Sequence, residues 1–416
     1  MSITVAMYSH DSLGLGHARR NRALAHALAA DLPRLTGQRV RGLLIAGHPD
    51  ATQDALPPGW DWLVLPGFAR TPGGYASRNL GVSASRLTAL RSGTAAAALE
   101  AVEPDLFIAD RHPFGVGDEL GEALSMLRER GTATVLGLRE VLDSPDVARR
   151  EWEKASWNGF SGADAVAAAY DAVWVYGDRG VYDPVATGEL PGPLAERSVF
   201  TGYLSHGRPD DPVGPSGVQA PQPYVLTMVG GGSDGGALGL AAATARVPAG
   251  HTHIILTGPQ MPQKDHDAIL DAVCRSGAPK GTVRVSRYAP HVPKLVRHAA
   301  AVISMTGYNS MAEVMATTTP ALTVPRSGHR EEQPRRAAAL ARAGAVDLLP
   351  ADELSAQAVG EWFSSAVRRR TFRDHIDLDG LTHIGDVAHE LLAAQRPAAV
   401  TGLQHNATER IPHVSV

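Results

Sequence analysis

Short apolar runs alternate with helical patterns along this chain, and they do so twice. In the first half the strand-like runs are Ile3–Tyr8, Val40–Ala46, Trp62–Leu65, Asp105–Ala109, Ala133–Leu138 and Ala172–Tyr176. Helical patterns over Arg19–Ala30, Ala84–Val102 and Gly117–Arg130 separate them. Several runs are continuously apolar, so they predict strands buried on both faces, and the alternation predicts a doubly wound parallel sheet. Residues 205–223, SHGRPDDPVGPSGVQAPQP, have no periodicity and read as a linker. The rhythm then restarts with Tyr224–Val229, His253–Thr257, Val283–Tyr288, Ala301–Met305, Ala321–Val324 and Val346–Leu349, and helices from Ala237 and over Asp265–Arg275. The expectation is two Rossmann-like α/β domains, 1–204 and 224–365, facing a cleft. Helices in 366–397 would pack back onto the first domain, and 398–416 would form a tail. Ligands of such sheets bind beyond the carboxyl ends of the strands, which places the site in the cleft.

Totals narrow the function. The chain has 416 residues, enough for two domains, and a net charge of −4, which gives no global field for nucleic acid. Local basic clusters such as RRAAALARAG read as solvated helix faces. One cysteine, Cys274, excludes an internal disulfide framework and fits a reducing, cytoplasmic setting. It sits at helical spacing from Ile269 and Leu270 and reads as a buried helix position. The opening MSITVAMYSHDS lacks a basic region followed by a long apolar stretch, so no signal peptide is expected. No run suffices for a membrane span, which leaves peripheral membrane contact open.

Four segments carry candidate chemistry. Gly230, Gly232 and Gly235 match G-x-G-x-x-G after a strand. A dinucleotide site also needs an acid at the end of the next strand, and that strand ends in Thr257–Gly258, so NAD is disfavoured. A glycine turn into a helix still offers N–H groups to a diphosphate, or is a bare turn. In ISMTGYNSMAE, Gly307 permits close approach of a ligand, and Asn309 and Ser310 open a helix that would hold a phosphate. Glu313 then either bonds a vicinal diol or closes a capping box with Ser310. Glu332 and Gln333 place a carboxylate and an amide side by side, suited to sugar hydroxyls, or they are the acidic first turn of a helix near Pro334.

In SLGLGH, His17 falls at the carboxyl edge of the first sheet, where a neutral imidazole is a general base or a helix-start residue that only packs. Asp110 ends another strand of that sheet and would orient His17, with His112 as a rival. No metal-ligand pattern and no G-x-S-x-G elbow appear, so no metal and no cofactor are expected.

Together GLGHARRNRALAHAL, GGGSDGG and TGYNSMAEVMATTTPALTVPRSGHREEQPRRAAALARAGAV resemble the GT-B glycosyltransferases, and within them the MurG-like, peptidoglycan N-acetylglucosaminyltransferase-related group. The resemblance implies a GT-B fold with an acceptor-binding domain over 1–204 and a nucleotide-sugar-binding domain over 224–365. It implies that Glu313 holds ribose hydroxyls and that Gly307, Asn309 and Ser310 hold the diphosphate. Gly16, Gly232 and Ser233 would lie near the donor phosphates, Tyr288 and Ala289 at the base, and Glu332 and Gln333 at the sugar. His17 matches the family's base and Asp110 its supporting aspartate. The chain departs from the peptidoglycan enzyme in its first loop, where DSLGLGH replaces G-G-T-G-G-H, and in FARTPGGYASRNLGVSASRLTALRS. An acceptor other than that enzyme's is therefore expected.

The expected activity is inverting, metal-independent transfer from a nucleotide-sugar, such as UDP-N-acetylglucosamine, to an acceptor hydroxyl. The nucleotide-sugar is a co-substrate, and the acceptor is a small molecule, a lipid-linked molecule or a glycan. A UDP-sugar 2-epimerase and a nucleotide-sugar-binding protein without chemistry are the alternatives.

Overall fold

A computed structural model describes residues 2–10, 15–53, 55–71, 74–209, 223–289, 291–326, 328 and 330–395. Residues 11–14 of the opening turn, 210–222 of the expected linker and the expected tail lie outside the described residues. Seventeen strands are present among the described residues: β1 (Ser2–Tyr8), β2 (Arg39–Ala46), β3 (Trp60–Val64), β4 (Phe68–Thr71), β5 (Gly74–Ser77), β6 (Leu106–Asp110), β7 (Ala133–Arg139), β8 (Ser156–Trp157), β9 (Phe160–Ser161), β10 (Ala172–Tyr176), β11 (Ser198–Phe200), β12 (Tyr224–Met228), β13 (Thr252–Leu256), β14 (Val283–Ser286), β15 (Ala301–Ser304), β16 (Ala321–Thr323) and β17 (Asp347–Leu348). They build a seven-stranded sheet in the order β11-β10-β7-β6-β1-β2-β3 and a six-stranded sheet in the order β14-β13-β12-β15-β16-β17. Every pairing within both sheets is parallel. The expected two-sheet α/β architecture is what forms.

The first strand explains why both faces are covered. Alternate side chains Ile3, Val5 and Met7 pack with Leu24, Leu28 and Leu32 of the Gly16–Thr36 helix. Ala6 and Tyr8 point the other way, onto Leu99, Leu124 and Leu127. Period-two alternation thus sends apolar groups to two helical layers, each buried aliphatic contributing about 1.5–3 kcal/mol over exposure. Strands β4 (Phe68–Thr71) and β5 (Gly74–Ser77) pair antiparallel outside the main sheet. This pairing explains why FARTPGGYAS has no place in the strand–helix rhythm.

Two sequence expectations change. Cys274 is exposed. It shares a helix face with Leu270, which is itself 40% exposed, whereas Ile269 and Ala272 face the core. Arg336, in the RRAAALARAG cluster read as a solvated helix face, is buried within the Glu332–Arg342 helix.

The chain crosses between the domains a second time. Arg373 donates to the carbonyls of Thr317, Thr319 and Ala345 in the second domain. Four residues on, the Asp377 N–H reaches Asp178 of the first domain at 2.8 Å. The Gly380–Gln395 helix then packs along the Gly16–Thr36 helix. Contact is close at Gly385, where an added Cβ would stand 2.5 Å from the Asp31 Cβ. We expect Gly385→Ala to separate these helices and cost about 1–3 kcal/mol, read by calorimetry as a lower Tm with the second domain's transition unmoved.

Candidate active site at the domain cleft

Each sheet reverses its winding once, and His17, Asp110, the glycine loop and the helix of Asn309 lie at those reversals, whereas Tyr288 and Ala289 follow the edge strand β14 and Glu332 and Gln333 come after β16. In the first sheet the chain runs outward from β1 through β2 and β3, then returns to β6 on the other side of β1. The crevice between the carboxyl ends of β1 and β6 is therefore the switch point. His17 stands at the start of the helix after β1, and Asp110 is the last residue of β6. In the second sheet the same reversal falls between β12 and β15. The glycine loop follows β12, and the Tyr308–Met315 helix follows β15.

His17 Nδ1 lies 3.1 Å from Asp110 Oδ2, with the histidine side chain 20% exposed and the aspartate fully buried. Arg20, which the motif reading overlooked, donates from Nη2 to both Asp110 oxygens at 2.6 Å. Burial alone would raise the Asp110 pKa. Arg20, and then His17, outweigh it and hold the carboxyl well below its ordinary range. The Asp110 carboxylate is therefore ionised at neutral pH. His10 and His112 complete a ring cluster, with the His10 centroid 4.6 Å from that of His17 and 4.3 Å from that of His112. Burial lowers the pKa of His10 and His112 well below that of free histidine, so both are neutral. His112 thus sits beside the dyad as an uncharged neighbour.

Across the cleft, Gly307 is the N-cap of the Tyr308–Met315 helix, and no side chain caps it. Ser310 lies inside the first turn rather than at the cap, so the capping box with Glu313 does not form. The Asn309 amide donates to the Gly16 carbonyl at 2.8 Å, joining the two helix starts. Glu313 faces Arg208, whose Nη1 is 4.0 Å from Oε1 and whose Nη2 donates to Asn309 at 3.0 Å. Arg208 belongs to the segment leaving the first domain and carried no motif in the sequence.

The glycine loop is folded tightly. Gly232 has φ +95°, and a Cβ there would stand 2.1 Å from the Thr257 carbonyl. Ser233 is exposed beside it, and Asp234 pairs with Arg326 at 3.2 Å. Gln333 accepts from the Arg326 N–H at 3.1 Å. Tyr288 is 61% exposed at the rim, and Ala289 is buried.

Glu332 is committed to an ion-pair lattice. It accepts from Arg139 of the first domain at 2.5 Å and from Arg336 at 2.8 Å. Arg336 is itself buried and donates across the cleft to Glu140 at 2.7 Å. Arg330 continues the seam to Asp143 and Glu151 at 3.1 and 3.2 Å. Sequence reading missed these partners because the pairing joins residues about 190 positions apart. Only the i,i+4 spacing of Glu332 and Arg336 was visible. Among the described residues, no group of three or more His, Cys, Asp or Glu side chains is placed to hold a metal ion, and no helix is long and apolar enough to cross a membrane.

Two parallel-sheet domains with facing switch points are the GT-B fold. The particular relationship lies in the second domain, where residues 228–371 match the family described as Glycosyltransferase family 28 C-terminal domain. Among solved structures, Acinetobacter baumannii MurG is 16% identical at TM-score 0.53, over 93% of this chain and 99% of its own. The glycosyltransferase SnogD from Streptomyces nogalater is 14% identical at TM-score 0.57, over 95% and 100%. Arabidopsis thaliana UGT89C1 complexed with UDP is 12% identical at TM-score 0.56, over 95% and 100%. At these identities the likeness carries the fold, and the architecture is MurG-like. No curated protein matches the chain in sequence.

The lattice gives a pH prediction. Burial would raise the Glu332 pKa, but Arg139 and Arg336 bring it down to about 2 from 4.5. A depressed carboxyl stabilises the fold above its unfolded pKa, and that stabilisation fades as pH falls from about 4.5 towards 2. Glu332→Gln should therefore cost about 3 kcal/mol at pH 7. The gap in Tm between variant and wild type should narrow steadily in melts taken below about pH 4.

Proposed function

We propose that this protein is an inverting, metal-independent glycosyltransferase that moves a sugar from a UDP-sugar, such as UDP-N-acetylglucosamine, to an acceptor hydroxyl. The observation that carries the reading is the contact between Asn309 and Gly16, which sets the first turn of the second domain's helix beside His17. A diphosphate on that helix start would lie next to the base. The family 28 match over residues 228–371 supports a nucleotide-sugar donor, and so does the UDP bound to one structural neighbour.

In this reading Glu313 bonds the ribose hydroxyls, and Gly307, Asn309 and Ser310 meet the diphosphate. Gly16, Gly232 and Ser233 lie near the same phosphates, Tyr288 and Ala289 border the base, and Gln333 reaches the sugar. Glu332 reaches it only by loosening Arg139. Arg208, beside Glu313, adds positive charge where the diphosphate would lie. His17 Nε2 takes the acceptor proton as the acceptor oxygen bonds the anomeric carbon. The bond from that carbon to the diphosphate breaks, and UDP leaves with the electron pair, its charge met by helix N–H groups and arginine. Ionised Asp110 stabilises the imidazolium that forms.

A thermal-shift panel tests the donor site. UDP at 100 times its Kd should stabilise the wild type by about 2.7 kcal/mol, and Glu313→Ala should lose that shift. His17→Ala should keep the shift and lose roughly 10²–10⁴ in turnover. No shift with any nucleotide overturns the donor assignment. Undiminished turnover in His17→Ala overturns the base, and conversion of UDP-N-acetylglucosamine without acceptor points to epimerisation.

A further inference from the structure

Arg20 takes no proton or bond in the transfer, yet its guanidinium lies against both His17 and Asp110. It lies one turn beyond His17 on the same helix and is 2% exposed. Its Nη2 bonds both Asp110 oxygens and also lies 3.1 Å from His17 Nδ1. Asp110 Oδ2 is 3.1 Å from the same Nδ1. One ring nitrogen thus faces a group that only donates and a group that only accepts, at equal distance, and it can satisfy just one. With its proton on Nδ1, His17 pairs with Asp110 and offers the Nε2 lone pair. With a lone pair on Nδ1, it pairs with Arg20 and carries the proton on Nε2, where it cannot act as a base.

The Arg20–Asp110 contacts at 2.6 Å are the shorter set and reach both carboxylate oxygens. The guanidinium is clamped between two rings. Tyr176 of the first domain is 5.8 Å from it, and Tyr308 of the second is 5.4 Å. The Tyr308 hydroxyl is fixed in turn by the Leu204 N–H at 3.2 Å. Arg20 is therefore held against His17 partly from across the cleft.

We infer that Arg20 is a positioning residue that selects the His17 tautomer: clamped by Tyr308 it keeps the proton on Nε2, and its withdrawal from Nδ1 makes His17 competent as the base. The catalytic consequence rests on the reading of His17 as the base, but the tautomer can be read without turnover.

The experiment uses the full chain with ¹⁵N-labelled histidine at alkaline pH, where imidazole is neutral. Long-range ¹H–¹⁵N correlations report the tautomer, and His17→Gln assigns the signal by its loss. The free wild type should carry the proton on Nε2, and Arg20→Met should move it to Nδ1. Asp110→Asn, which removes the negative charge and can turn an N–H donor towards Nδ1, should keep it on Nε2 and lower kcat by on the order of 10³–10⁴. If Arg20→Met does not fold, Tyr308→Leu serves, with a shift towards Nδ1 that Tyr308→Phe does not show. A wild type already protonated on Nδ1, or a tautomer indifferent to Arg20 and Tyr308, overturns the inference. Undiminished turnover in His17→Gln would instead overturn the base assignment and leave the tautomer result standing.

Discussion

Arg336 is the group on which the cleft depends. Its guanidinium is buried, and water cannot replace a lost partner there. It bonds Glu140 from one domain and Glu332 and the Thr306 carbonyl from the other. Removing one partner of a buried pair strands a charge and typically costs 3–5 kcal/mol, far more than a surface bridge. That penalty makes the seam selective: the two domains meet in the register that satisfies the arginine. The approach of Asn309 to Gly16, and of Tyr308 to Arg20, follows from this register.

Much of the fold was legible because parallel sheets write themselves as apolar runs. The segments 84–102 and 172–176 were placed to the residue, since each is bounded by sharp polar or glycine signals. The antiparallel pairs β4–β5 and β8–β9 were not seen. Strands of two to four residues carry too few alternations to register, and nothing in their composition separates them from loops. Cys274 was misjudged because its neighbour Leu270, taken as a core marker, is partly solvated.

The site was legible where one residue type at one strand end suffices. His17 and Asp110 were each placed at a carboxyl edge, and parallel topology brought them together. The arginines were invisible for the opposite reason. Arg20, Arg139 and Arg336 look like ordinary helix-surface or strand-end cations, and Arg208 like a linker charge, until a partner far away in sequence is known. They turn a pair of strand-end residues into a charge-balanced seam in which nearly every carboxylate is spoken for. A polar ligand entering that seam exchanges ion pairs rather than filling an empty hollow.

The second crossing of the chain also has a consequence for how such proteins can be recombined. The first domain is completed by the Gly380–Gln395 helix, so it is discontinuous along the gene. A graft of the second domain from a relative needs two junctions, one after Ser205 and one between Arg373 and Asp377, where the bonds pass from one domain to the other. A single splice in the 205–223 segment would leave the first helix facing a foreign partner. Its close fit at Asp31 and Gly385 then makes the terminal helix part of the first domain's inheritance.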